Sequence, residues 1–291
     1  AQIAVGTAQP DEINAWVIVN ADDTVIIRVA RSEMGQGTLT GLVQMVVEEL
    51  ACDWDKVSWE FPTAGQSLAR GRPWGSFSTG GSRGIRDSHQ YVREGGAVAR
   101  QLLIAAAAQT WGVPAIECAA QDGAITHVPS GKRTTFGAVA KLAATLDAPQ
   151  QVTLKDPSQW TVIGKPMPRL DTAEKVTGAL RYGADLKLPG MLHAAIHACP
   201  VHGGKRQSFD ASAAQTMPGV RHVLPVGDDA LAVVADSWWQ AKQALASVKI
   251  DWETTASSAV DSASIDAMLK EGLTAKDTFI GHTRGQTQAV L

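Results

Sequence analysis

The chain has 291 residues, 45% hydrophobic and 19% charged, with a formal net charge of −3. That length and composition suit one large globular domain or two ordinary ones and exclude a disordered chain. No basic cluster marks a nucleic-acid footprint, and the longest alanine-rich run, Leu102 to Ala108, is far shorter than the roughly 20 apolar residues that span a bilayer.

The chain starts at Ala1, and the small, polar stretch to Pro10 reads as a mature N-terminus left by signal-peptide removal. Two apolar runs, Trp16–Val19 and Thr24–Val29, flank Asn20-Ala-Asp-Asp23 and predict a hairpin. After Arg31-Ser-Glu-Met-Gly-Gln-Gly-Thr38, the residues Leu39, Leu42, Val43, Val46 and Leu50 recur at helical spacing, with Thr38 as the expected N-cap. Val57–Phe61 predicts a strand. Ala64–Gly84 reads as a loop rich in Gly, Ser, Arg and Pro, running into a long helix over 87–111. Ala124–His127 predicts a short strand and Thr135–Leu146 a short helix. The proline-bearing stretch 149–168 is the expected domain boundary. Beyond it, strands are expected at Leu192–Ala198, Val220–Val226, Leu231–Ala235 and Lys249–Glu253. Helices are expected at Ser212–Met217 and after Asp236, the expected cap of a helix carrying Trp238, Trp239, Ala241, Leu245 and Val248. Residues 256–291 read as a linker or partner-contacting tail.

Cys52, Cys118 and Cys199 form no CxxC pair, so this chain builds neither a zinc ribbon nor a four-thiolate iron–sulfur site, and they read as buried, inert thiols. His193 and His197 fall on a predicted strand and are assigned no metal. The Glu48–Glu49 pair reads as a solvated helix face, and Trp238–Trp239 as packing. Trp74 and Phe77 read as core, with channel lining the alternative.

The chemistry is expected at two glycine-rich loops, each just before a helix, where free N–H groups and the positive dipole end favour anions. The first holds Gly35, Gln36 and Gly37. The second holds Ser78, Thr79, Gly80, Gly81, Ser82 and Arg83, whose hydroxyls and guanidinium suit phosphate oxygens. Neither fits the P-loop or the dinucleotide fingerprint. On the residues alone, a phosphate-bearing ligand stands slightly ahead of plain turns.

Ser32-Glu-Met-Gly-Gln-Gly-Thr-Leu-Thr40, followed by an amphipathic helix ending Glu48-Glu-Leu50, resembles the Gly-Gln-Gly cofactor motif of the xanthine oxidase family. Ser78-Thr-Gly-Gly-Ser-Arg-Gly84 resembles that family's second cofactor segment. Arg169-Leu-Asp171, Lys175-Val-Thr-Gly178, Tyr182-Gly-Ala-Asp185, Leu188-Pro-Gly-Met-Leu192, Met217-Pro-Gly-Val220, Ala232-Val-Val-Ala-Asp236 and Trp239-Gln-Ala-Lys242 resemble its hammerhead domain. They come after the cofactor motifs, as in the isoquinoline 1-oxidoreductase beta-subunit and membrane-associated aldehyde dehydrogenase branch.

The resemblance implies an α+β architecture. An N-terminal portion of a molybdopterin-binding domain (11–150) precedes a hammerhead-like α/β domain (165–255) and the tail (256–291). It implies hydroxylation of an aldehyde or an N-heteroaromatic small molecule. Gln36 is expected at the metal end of a molybdopterin cytosine dinucleotide, and Gly80, Gly81 and Ser82 at its phosphates. The family's Gly-x-Gly-Glu and Gly-Phe-Gly-Gly segments are absent from this sequence, so no catalytic residue and no metal ligand are assigned. The implied partners are a chain carrying the rest of the molybdenum-binding domain, a small subunit with two 2Fe-2S clusters and a cytochrome c acceptor. The implied location is the periplasm, at the inner membrane through a partner. The alternatives are a non-catalytic scaffold subunit and an unrelated enzyme holding a nucleotide at the loops.

Overall fold

The computed structural model describes residues 12–277 and, beyond them, 279, 281, 282 and 284–286. The expected mature N-terminus lies outside these residues. Helices and sheets are mixed throughout, and the chain divides into two compact units between Arg181 and Tyr182.

In the first unit, β1 (Glu12–Asn14), β2 (Val17–Val19) and β3 (Val25–Arg28) form antiparallel neighbours, and β4 (Val57–Glu60) lies parallel to β3. Parallel neighbours need a crossover, and α1 (Thr38–Leu50) supplies it. The apolar stripe read from the sequence is what α1 buries: Leu39, Leu42, Val43, Val46 and Leu50 join Val17, Val19, Val25 and Ile27 in one core. The long helix α4 (His89–Trp111) packs against α1 and adds Val92, Ala99, Leu102 and Leu103 to that core. A Cβ on Gly96 would lie 2.7 Å from the Val46 carbonyl oxygen, so glycine sets how closely α4 approaches α1. A second antiparallel sheet, β5 (Cys118–Gln121), β6 (Ala124–His127) and β7 (Arg133–Thr135), leads into α5 (Phe136–Ala143).

Several expectations are corrected here. Ala64–Ala69 is helical (α2), because Thr63 and Gln66 form a reciprocal capping box. The predicted helix over 87–111 begins at His89, after a separate turn of helix α3 (Arg83–Arg86). Gly37, not Thr38, occupies the N-cap of α1. Glu48 and Glu49 are fully buried rather than solvated. Among the cysteines, Cys52 is buried but Cys118 and Cys199 are half-buried.

The stretch 150–171 is a strap of the first unit, bound along one face of α1, and the division falls after it. Residues Thr40, Gln44 and Glu48, one turn apart, hold it. Thr40 Oγ1 accepts from the Leu170 N–H at 3.2 Å, the Gln44 amide donates to the Val162 and Lys165 carbonyls, and Glu48 accepts from the Thr161, Val162 and Ile163 N–H groups. Lys155 Nζ reaches Glu48 at 2.9 Å, while Arg93 and the Lys155 N–H satisfy Glu49. After the strap comes α6 (Thr172–Thr177).

The second unit pairs β8 (His193–Ala198), β10 (Val220–Val226) and β11 (Ala230–Ala235) in the order β10-β11-β8. Its core forms where Ala195, Leu231, Val233 and Ala235 meet Ala214 of α7 (Ser212–Gln215) and Ala241, Ala244 and Leu245 of α8 (Trp238–Ser247). Ser237, not Asp236, caps α8, and Asp236 instead pairs with Arg221 at 2.7 Å. Trp238 and Trp239 are exposed rather than packed. A strand not expected from the sequence, β9 (Lys205–Asp210), pairs with β12 (Lys249–Glu253). Within the tail, Ser262–Gly272 forms α9, started by an Asp261 capping box and burying no side chain.

Candidate functional site

The first glycine-rich loop leaves the carboxyl end of β3 and enters α1, a position where open α/β sheets commonly hold ligands. The second runs from Trp74 into α3. The fold lays the two side by side. The Ser32 N–H and hydroxyl both donate to the Phe77 carbonyl, and the Thr79 hydroxyl donates to the Ser32 carbonyl at 2.7 Å. Arg31, nearly buried, donates to the Ser78 carbonyl at 2.9 Å and to Ser88 Oγ at 3.0 Å. The helix starts touch as well: a Cβ on Gly84 would lie 3.0 Å from Thr38, and one on Gly41 would lie 3.0 Å from Ile85. All nine expected loop residues therefore lie at one place, mostly exposed.

The second loop is anchored by Trp74. It is buried, donates to the Ala15 carbonyl at 2.7 Å and stacks near the Arg28 and Arg70 guanidiniums. That settles Trp74 as a structural anchor; Phe77 is half-buried.

The loops differ in chemistry. In the first, Glu33 already occupies the helix start. Its carboxylate accepts from the Gly35, Gly37 and Leu39 N–H groups at 2.8, 3.0 and 3.0 Å. Partial burial pushes its pKa up, but those three bonds more than offset this and hold it below the usual carboxylate range. A carboxylate seated there removes the donors a phosphate needs, so the expectation of an anion site at α1 is corrected. Gln36 is turned onto its own loop: its oxygen accepts from the Met34 N–H at 2.6 Å, and its amide donates to Ser32 O and Thr38 Oγ1. Gly35 and Gly37 take φ of +102° and +86°, values that glycine alone adopts cheaply.

The second loop is the anion-suited one. Among the described residues, the N–H groups of Thr79, Gly80, Gly81 and Ser82 have no protein acceptor. Gly81 and Ser82 both take φ of +56°. Successive N–H groups in such a turn make a concave donor set of the kind that holds phosphate. Arg83 and Arg86 flank it, although here Arg83 turns back to Gly80 O and Asp87, and Arg86 to Gly81 O and Asp87. A Cβ on Gly80 would meet nothing within 4 Å, so the ground above the loop is open. The donor set fits the phosphate end of a cofactor.

One contributor was missed by sequence reasoning. Arg169, read as part of the second domain, belongs to the first unit and reaches the first loop. Its guanidinium donates to the Gly35 carbonyl at 2.9 Å, lies 3.6 Å from Glu33, and grips Asp171 through two bonds of 3.1 Å. Lys175 reaches Asp171 from the other side. Those contacts, the Arg169 bonds first, hold the Asp171 carboxyl down at about 2. Its i, i+2 spacing with Asp171 is the only sequence signal, and it does not say which loop is gripped. A separate cleft of about 880 Å³ lies along α4 beside Ile104, Ile116 and Leu146 and includes neither loop. His193 and His197 join no metal-binding group, and none occurs among the described residues.

A family model for the molybdopterin cofactor-binding domain matches residues 1–186. The chain is 32% identical over 278 residues to the beta subunit of isoquinoline 1-oxidoreductase from Brevundimonas diminuta, covering 82% of this chain and 35% of that protein. It is 28% identical over 260 residues to a nicotinate dehydrogenase subunit of Pseudomonas putida, covering 85% of this chain and 21% of the other. A membrane-bound aldehyde dehydrogenase (pyrroloquinoline-quinone) of Gluconacetobacter polyoxogenes is 26% identical over 254 residues, covering 83% of this chain and 32% of its own. The chain thus spans about a third or less of these relatives' length. A solved quinoline 2-oxidoreductase from Pseudomonas putida 86 aligns over 32% of this chain and 16% of its own, at 26% identity and a TM-score of 0.27.

Proposed function

Since the chain belongs to the molybdopterin cofactor-binding domain family, we propose that it is part of a molybdenum-dependent oxidoreductase and holds one side of a molybdopterin cytosine dinucleotide. The observation that carries this reading is the unlike character of two adjoining loops. One spends its donors on Glu33 and presents glycine backbone and Gln36. The other offers four consecutive unpaired N–H groups with hydroxyls and arginines beside them. A ligand whose phosphates lie to one side of its pterin suits that pair in only one direction. Thr79, Gly80, Gly81 and Ser82 would take the phosphates, and Gly35, Gln36 and Gly37 the pterin and metal end.

When bound, the cofactor supplies the two-electron oxidation that places a water-derived oxygen on an electron-poor carbon. This chain's residues hold and orient it. Glu33, Glu48 and Glu49 are all committed to backbone or cationic partners, which supports placing the proton-accepting residue outside this chain. Substrates are proposed to be aldehydes or N-heteroaromatics, the classes that the relatives' names carry. Residues 182–255, within the second unit, are proposed to be hammerhead-like. The proposed partners are a chain with the rest of the molybdenum-binding domain, a small subunit with two 2Fe-2S clusters and a cytochrome c, in the periplasm.

The test is molybdenum and organic phosphate content of the native co-purified complex, in wild type and in Gly80→Ala. A Cβ at Gly80 meets open space in the protein but stands where a phosphate would rest on the N–H groups. The variant is expected to keep its thermal midpoint and lose most of its cofactor. Gln36→Ala should also lower molybdenum content. A molybdenum-free wild-type complex that is intact and active would overturn the proposal.

A further inference from the structure

The Gly-Gln-Gly loop is held from a distance. Its peptide geometry depends on the Glu33 carboxylate inside it and on Arg169, which lies 134 residues further along the chain than Gly35. Arg169 touches the loop's backbone at Gly35 O and sits beside Glu33, while both of its other bonds go to Asp171, itself braced by Lys175. The strap that delivers it is fixed to α1 by Thr40, Gln44 and Glu48.

We infer that Arg169 is a positioning residue that locks the Gly35–Gly37 loop in the shape the cofactor's pterin end meets. The mechanism is steric and electrostatic. Gly35 and Gly37 are free to take many conformations, which costs loop order. A bidentate guanidinium–carboxylate pair is geometrically rigid, so Arg169 carries that rigidity to the Gly35 carbonyl. It also balances the charge of Glu33, so that the carboxylate can stay on the three N–H groups. The loop is then ordered before any cofactor arrives. The inference rests on the functional reading above only for the identity of the ligand.

The experiment is residue-resolved amide hydrogen exchange on the full chain without cofactor, in wild type, Arg169→Ala and Arg169→Lys. The Gly35, Gly37 and Leu39 amides, which Glu33 accepts, should exchange at least tenfold faster in Arg169→Ala. Leu102 and Leu103 in α4 should be unchanged. Lysine can reach Gly35 O but cannot grip Asp171 with two bonds, so Arg169→Lys should restore part of the protection. In the co-purified complex, the alanine variant should release molybdenum faster than wild type. Unchanged exchange at the three amides overturns the inference, whatever the complex retains. So does a uniform rise that includes α4, since that marks general destabilisation. A wild-type complex without molybdenum would overturn the functional reading and leave the exchange result to decide the role of Arg169.

Discussion

At the residue scale the site is built from side chains that spend themselves on backbone. Glu33 accepts from three N–H groups, Gln36 closes its own turn, and Arg31 and Arg169 each hold a loop carbonyl. Asp171 makes this economy measurable. Its carboxyl is depressed to about 2 from an ordinary 3.8, chiefly by its bonds with Arg169. A depressed folded value means that the carboxylate's contribution to stability is complete above pH 3.8 and disappears as the pH falls toward 2. Urea midpoints measured from pH 5 to pH 2 should therefore fall less steeply in Asp171→Asn than in wild type. Equal slopes would show that the Arg169–Asp171 pair carries none of the acid sensitivity. Legibility in the sequence was high for residue types and low for their partners. Gly35–Gly37 and Ser78–Arg83 stand out as glycine and hydroxyl runs. That Glu33 fills the first helix start does not, because any acidic residue near a helix N-terminus reads the same way until the loop is folded.

At the scale of elements, periodicity located α1, α4, β3 and the sheet of the second unit, because each has a strong apolar repeat. It failed where a partner, not a pattern, makes the element. β5 is Cys-Ala-Ala-Gln and β9 is Lys-Arg-Gln-Ser-Phe-Asp; neither alternates convincingly, and both are strands because β6 and β12 lie beside them. α2 was hidden by its glycine and serine and declared by a capping box that a loop reading passes over. The contact between α1 and α4 gives an element-scale prediction. Gly96→Ala puts a methyl 2.7 Å from the Val46 carbonyl, against backbone that cannot move aside. It should destabilise the first unit by about 1–3 kcal/mol, seen as a lower urea midpoint with an unchanged slope. A midpoint equal to wild type would mean that the helices separate freely there.

At the scale of the whole chain, the division after Arg181 follows from where buried charge is satisfied. Glu48 and Glu49 lie in the core of the first unit, and their partners at Lys155 and Thr161–Ile163 lie beyond residue 150. The prolines of 149–168 point to an earlier boundary, since a strap without regular structure looks like a linker in sequence. Truncation separates the two readings. A chain ending at Arg181 should fold cooperatively, whereas one ending at Pro149 leaves buried Glu48 without Lys155 and the Thr161, Val162 and Ile163 N–H groups, while Glu49 keeps Arg93. Unpairing a buried charge costs about 3–5 kcal/mol, so the shorter chain should show no unfolding transition. A cooperative transition in the shorter chain would restore the earlier boundary.

The same strap imposes an order on synthesis. Its bonds to α1 join residues separated by 106 to 130 positions, and the bond to Gly35 by 134. At a translation rate of about 5–20 residues per second, Glu48 leaves the ribosome roughly 5 to 21 seconds before Lys155, which neutralises it, 107 positions later. During that interval the β3–α1–β4 crossover has its apolar face but not its polar one. The Gly-Gln-Gly turn is therefore the earliest part of the site to be translated and the last to acquire its final shape, and a cofactor that reached it sooner would find a turn still unset.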